Sequence, residues 1–79
     1  MPFYRFQWSD EIEEHLAEHG VLPEDFEEVV CDPGREGISR STGKPLAFGY
    51  ASTGRYLCCV YELIDETTVL PVTAYEVED

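Results

Sequence analysis

From Ser9 to Asp32 the chain carries ten Asp and Glu residues and no Lys or Arg, and the same stretch has apolar residues at helical spacing. That combination constrains the fold more than any other feature. An acidic segment cannot fold by itself into a core, so its apolar stripe must pack on something else while its carboxylates face water. Ser9 is a good N-cap, Asp10 and Glu11 fall where the helix dipole favours acids, and Gly20 offers a left-handed exit, so a helix is predicted over 10–19. Its apolar residues are Ile12, Leu16 and Ala17, with His15 and His19 beside them. A second helix is predicted over 23–31: Pro23 suits a first helical position, Phe26, Val29 and Val30 form a stripe, and Asp32-Pro33 stops the run.

The remainder reads as strands. Phe3 to Trp8 alternates, with Tyr4, Phe6 and Trp8 on one side. Residues 32–45, with three Gly and two Pro, have loop composition. Leu46, Phe48 and Tyr50 alternate with small residues, and Ser52-Thr53-Gly54 turns the chain into a strand from Arg55 to Ile64. Thr68 to Val77 completes the set, and Pro71 predicts that part of one edge is unpaired. The expected fold class is α+β, in the order β-α-α-β-β-β, with two N-terminal helices on one face of a small antiparallel sheet. At 79 residues this is a single domain, 1–79.

Three of the five Lys and Arg residues, Arg35, Arg40 and Lys44, follow the acidic stretch within twelve positions, so the formal charge of -12 describes no single surface. With 43% hydrophobic residues and ten aromatics the chain is too apolar to be a disordered acidic tail. No apolar run is long enough to cross a bilayer, and the first residues lack the pattern of a signal peptide, so a cytoplasmic protein without membrane association is expected. Three cysteines, two of them adjacent, make a poor disulfide framework and lack zinc-ribbon spacing. Buried reduced thiols are expected, with no metal and no cofactor.

The string FQWSDEIEEHLAEHGVLPEDFEEVVCDP resembles the N-terminal half of BrnT-type toxins, at Trp8, at His19-Gly20-Val21 and at Asp32-Pro33. STGKPLAFGYASTGRYLCCVYE is similar to that family's glycine-punctuated hairpin, and VLPVTAYEVED to its last strand. The resemblance implies a RelE-like toxin fold and, by extension, a metal-independent endoribonuclease of the mRNA interferase type, paired with a cognate antitoxin. Two departures bear on activity. The family's last strand ends in a Ser-Ala-Arg-like triplet, and this chain has Thr73-Ala74-Tyr75, with Tyr where the cation would stand. Such toxins are also usually basic, whereas the charge here disfavours RNA binding. Attenuated or lost cleavage is therefore part of the expectation.

Cleavage through a 2′-hydroxyl needs a proton acceptor, a cation for charge developing on phosphate, and an acid for the leaving oxygen. Arg40, Lys44 and Arg55 are the candidate cations, forming one cluster if the 32–45 loop folds over the hairpin. Tyr75 or Tyr50 is placed to stack on a base or donate a proton, although a tyrosine acting as a base needs a nearby cation to lower its pKa from near ~10. His19 is either a base or a helix-terminal cap. His15 and His19 have the i, i+4 spacing of one face of a metal site but lack a third ligand. Cys58 and Cys59 fall on opposite sheet faces. Tyr4, Phe6 and Trp8 read as core rather than as a base-stacking platform. The acidic helices present either a solvated face or a docking surface for a basic partner, an antitoxin or another basic protein. A non-catalytic, acidic protein-binding module is therefore the alternative to the ribonuclease.

Overall fold

In the computed structural model, which describes residues 4–77, the chain is α+β, with two helices and one five-stranded sheet. The elements are β1 (Arg5–Phe6), α1 (Asp10–Glu18), α2 (Pro23–Cys31), β2 (Arg35–Ile38), β3 (Pro45–Tyr50), β4 (Tyr56–Leu63) and β5 (Thr68–Glu76). The sheet order is β1-β5-β4-β3-β2. Neighbours from β2 to β5 are antiparallel, while β1 runs parallel to β5 through Arg5 opposite Thr68 and Phe6 opposite Val69.

Both helices begin and end on the expected chemistry. The Ser9 hydroxyl accepts the Ile12 N–H at 3.2 Å, and Pro23 opens α2. Gly20, at φ +72°, takes the left-handed conformation that lets the chain leave α1, and its N–H donates to the Ala17 carbonyl. Leu16 from α1 and Phe26, Val29 and Val30 from α2 are buried against Ala47, Leu57, Cys59, Val69 and Ala74 of the sheet. α2 approaches closely because position 49 is glycine: a Cβ there would lie 3.4 Å from Val29 Cγ1 and from the Gly34 nitrogen. Phe6 and Trp8 close the same core, with Phe26 meeting their rings edge-on at centroid distances of 6.3 and 5.5 Å. They are core residues, as expected; Phe3 lies outside the described residues.

Four features refine the sequence reading. First, the 32–45 segment is not all loop: Arg35–Ile38 forms a strand paired with Pro45–Phe48, and the true turn is the short 39–44 stretch. Second, the first strand is reduced to two residues and adds a parallel pair to the sheet. Third, β5 is covered only at its start: β1 pairs with Thr68 and Val69, and the rest of β5 has no strand partner on that side among the described residues, as Pro71 predicts. Pro71 lies just past the end of β1, next to a register irregularity opposite Val60 and Tyr61, and its ring is fully buried. The opposite edge of the sheet is β2. Fourth, Asp25 is buried in the first turn of α2, where the positive end of the helix favours a carboxylate, while Ala17, read as part of the apolar stripe of α1, is exposed.

Candidate functional site

The charge segregation is real on the helical side. Of the ten carboxylates between Ser9 and Asp32, eight are exposed; Glu27 is half-buried and Asp25 buried. Glu27 accepts the Trp8 indole N–H at 2.7 Å, and Glu28 accepts the Ser52 hydroxyl at 2.9 Å. Among the described residues the ion pairs are Lys44–Glu62 and Arg55–Glu76, so no helical carboxylate is paired with a cation.

The expected cationic cluster does not assemble. Arg40 lies in the exposed turn between β2 and β3. Lys44 enters β3 and pairs with Glu62 at 3.3 Å, whereas Arg55 enters β4 at the opposite end of the same hairpin. Seven extended residues separate positions 44 and 51, beside which Arg55 sits, a span of about 23 Å at ~3.3 Å per residue. A loop folding over the hairpin was required to close that gap, and the residues involved are instead committed to β2. Lys44 and Arg55 are each neutralised by a glutamate, which leaves no positive hollow between them.

Arg55 does reach the chain segment that carries His19. Arg55 Nη1 donates to the Gly20 carbonyl at the end of α1, directly after His19, and Nη2 reaches Glu76 Oε1 at 3.2 Å. His19 occupies the C-cap position of α1, and its ring meets that of His15 at a centroid distance of 5.3 Å. His15 Nε2 lies 2.9 Å from Thr73 Oγ1 on β5. The α1 terminus therefore gathers His15, His19, Arg55, Thr73 and Glu76, but on an exposed shoulder rather than in a cleft. Thr73 enters the sequence reading only as the first residue of the Thr73-Ala74-Tyr75 triplet, and nothing in its neighbourhood marks it as a partner of His15.

Tyr75 is on the other side of the sheet. Strand alternation places Leu46, Phe48 and Tyr50 of β3 with Tyr56, Cys58 and Val60 of β4 on the face away from the helices, and Tyr75 pairs with Cys58 there. Phe48 stacks on Tyr56 at 6.2 Å, and Tyr50 meets Tyr56 at 4.7 Å. The hydrogen bond with the Cys58 thiol, the charge that thiol can carry, and partial burial together push the Tyr75 phenol above its ordinary value. That is the wrong direction for a proton acceptor at neutral pH. Cys58 and Cys59 do fall on opposite faces, and all three cysteines are free. Burial, then Cys58, then Asp25 push the Cys59 thiol up to about 12. Among the described residues no His, Cys, Asp and Glu cluster could hold a metal ion.

A shallow depression of about 330 Å³ lies where β2 meets β3, lined by Glu36, Gly37, Ile38, Pro45, Leu46 and Tyr61. Tyr61 is buried, and its phenol is raised by that burial first, then by Glu36 and Tyr4. The four-residue alternation over 35–38 was the only signal for this site, and two glycines and a proline nearby concealed it. Comparison with family models, curated proteins and solved structures returns no match. No described helix is long and apolar enough to cross a membrane.

Proposed function

We propose that this chain is a binding protein that engages a basic partner through the carboxylates of its helical layer, on a toxin-family framework in which phosphodiester cleavage is attenuated or lost. The observation that carries this reading is the set of eight exposed carboxylates from Asp10 to Asp32, none paired with Lys or Arg among the described residues. A cognate antitoxin is a partner of the right charge for that surface. Unscreened carboxylates at this density speed association and make it salt-sensitive, while buried contacts elsewhere supply most of the affinity.

The test compares two variants of equal charge change. Glu24→Gln/Glu28→Gln alters one face of α2, and Glu62→Gln/Glu66→Gln alters the sheet end. Titration with poly-lysine at about 0.05 M and about 0.5 M salt should show binding lost at the higher salt, where the Debye length shortens severalfold. The helical variant should be weakened more than the control. Equal weakening of the two, or indifference to salt, removes the proposal.

A second reading, a residual ribonuclease, is favoured by Arg55 bonding the Gly20 carbonyl next to His19 at the end of α1. It requires RNA cleavage by the purified chain that disappears in His19→Ala and Arg55→Ala. Absence of cleavage under any ionic condition rules it out.

A further inference from the structure

The β2 edge carries a feature independent of the helices. Hydrogen-bonded and non-bonded pairs alternate along an antiparallel ladder. The Ser39 N–H donates to the Lys44 carbonyl at 2.8 Å, so Gly37 and Arg35 turn their backbone groups toward β3, and Glu36 and Ile38 turn theirs outward. Among the described residues no strand lies on that side. The same two residues also line the depression, where the Ile38 side chain is 65% exposed and Glu36 makes no hydrogen bond or ion pair among the described residues. An unpaired edge with an exposed isoleucine is a template for an added strand, and natural proteins normally blunt such edges with a charge or a cover.

The depression sets which side chain that strand would carry. Ile38 and Pro45 offer apolar surface to an aliphatic stem beside Tyr61, and the formal charge among the lining residues is the Glu36 carboxylate. A volume of about 330 Å³ is at the lower end for a small-molecule pocket and accommodates one long side chain. A stem with a cation at its tip satisfies both parts, packing its methylenes on apolar surface while its head stays at the wet carboxylate.

We propose that an extended segment of a partner pairs with β2 and places a lysine or arginine side chain in the depression, against Ile38 and Pro45 and beside Glu36. This rests on the reading of the chain as a binder of basic partners and adds to it a second contact surface, separate from Glu24 and Glu28 of α2.

The test uses two blocked pentapeptides, acetyl-Thr-Val-Lys-Val-Thr-amide and its norleucine counterpart, titrated into the ¹⁵N-labelled chain. The lysine peptide is expected to shift the Glu36, Gly37 and Ile38 amides. The norleucine peptide should bind about two- to fivefold more weakly, the range of a half-exposed ion pair. In Glu36→Gln, whose own spectrum reports folding, the two peptides should bind alike. The Glu24→Gln/Glu28→Gln variant should keep the β2 response. Unshifted β2 amides, or equal binding of both peptides to the unaltered chain, overturn the inference. Shifts confined to helical amides and lost in Glu24→Gln/Glu28→Gln overturn it too, while supporting the helical surface. A β2 response together with poly-lysine binding indifferent to the helical variant supports the inference and removes the helical surface instead.

Discussion

Replacing Phe26 by Ala removes the ring on which α2, β1 and Trp8 converge. Phe26 is fully buried and meets Phe6 and Trp8 edge-on, so its loss opens a cavity that three separate segments would have to fill by moving. A buried Phe→Ala change costs about 3–5 kcal/mol. Set against a total of about 4–12 kcal/mol for a domain of 79 residues, that leaves between nothing and roughly three quarters of the stability. The expected fall in Tm is about 12–40 °C. Phe26→Leu keeps most of the volume and should cost only about 1–1.5 kcal/mol. Trp8, the single tryptophan, sits 5.5 Å from the Phe26 ring and reports on its docking directly. Urea unfolding followed by Trp8 fluorescence and by far-UV circular dichroism gives both the magnitude and a check for one concerted transition. A midpoint shift in Phe26→Ala worth less than about 1 kcal/mol would show that α2 is not held by this ring, and the packing account would fail.

Two further predictions concern titration and reactivity. Asp65 accepts the Thr67 N–H at 2.9 Å and the Thr68 N–H at 2.8 Å, together with both threonine hydroxyls, and these bonds hold its carboxyl below the usual range. Its folded pKa is depressed, so its stabilising effect is present above the unfolded value near ~3.9 and fades as pH falls through the folded value. The urea midpoints of the unaltered chain and Asp65→Asn should therefore differ at neutral pH and converge in acid; a pH-independent gap contradicts this. For the thiols, a disulfide reagent should modify half-buried Cys31 in the native chain, slowly because burial and Glu27 raise its pKa, and reach Cys58 and Cys59 only on unfolding. Native-state labelling of either strand cysteine faster than global opening would refute that order.

The helices were legible because each boundary carries its own local chemistry: Ser9 as a cap, Gly20 as an exit, Pro23 as a start and Asp32-Pro33 as a stop. β3, β4 and β5 were legible from alternation and turn residues. β2 was not, since four residues including a glycine hardly establish a period, and the strand exists through pairing with β3 rather than through propensity. The parallel β1–β5 pair was illegible for a related reason: two residues carry no directional signal. Closeness along the chain misled for the cations. Lys44 and Arg55 are eleven positions apart, but a strand lies between them and carries them to opposite ends of a hairpin. Arg55 and Gly20, far apart in sequence, meet because a helix end and a hairpin turn share one corner of the molecule, next to His19.

The parallel pairing of Arg5–Phe6 with Thr68–Val69 has a temporal consequence. During synthesis β1 has no partner until β5 has emerged, and α1, which packs on β5, waits with it. Because α2 packs on β3 and β4, it can dock earlier, while the exposed charge of α1 works against association until β5 forms.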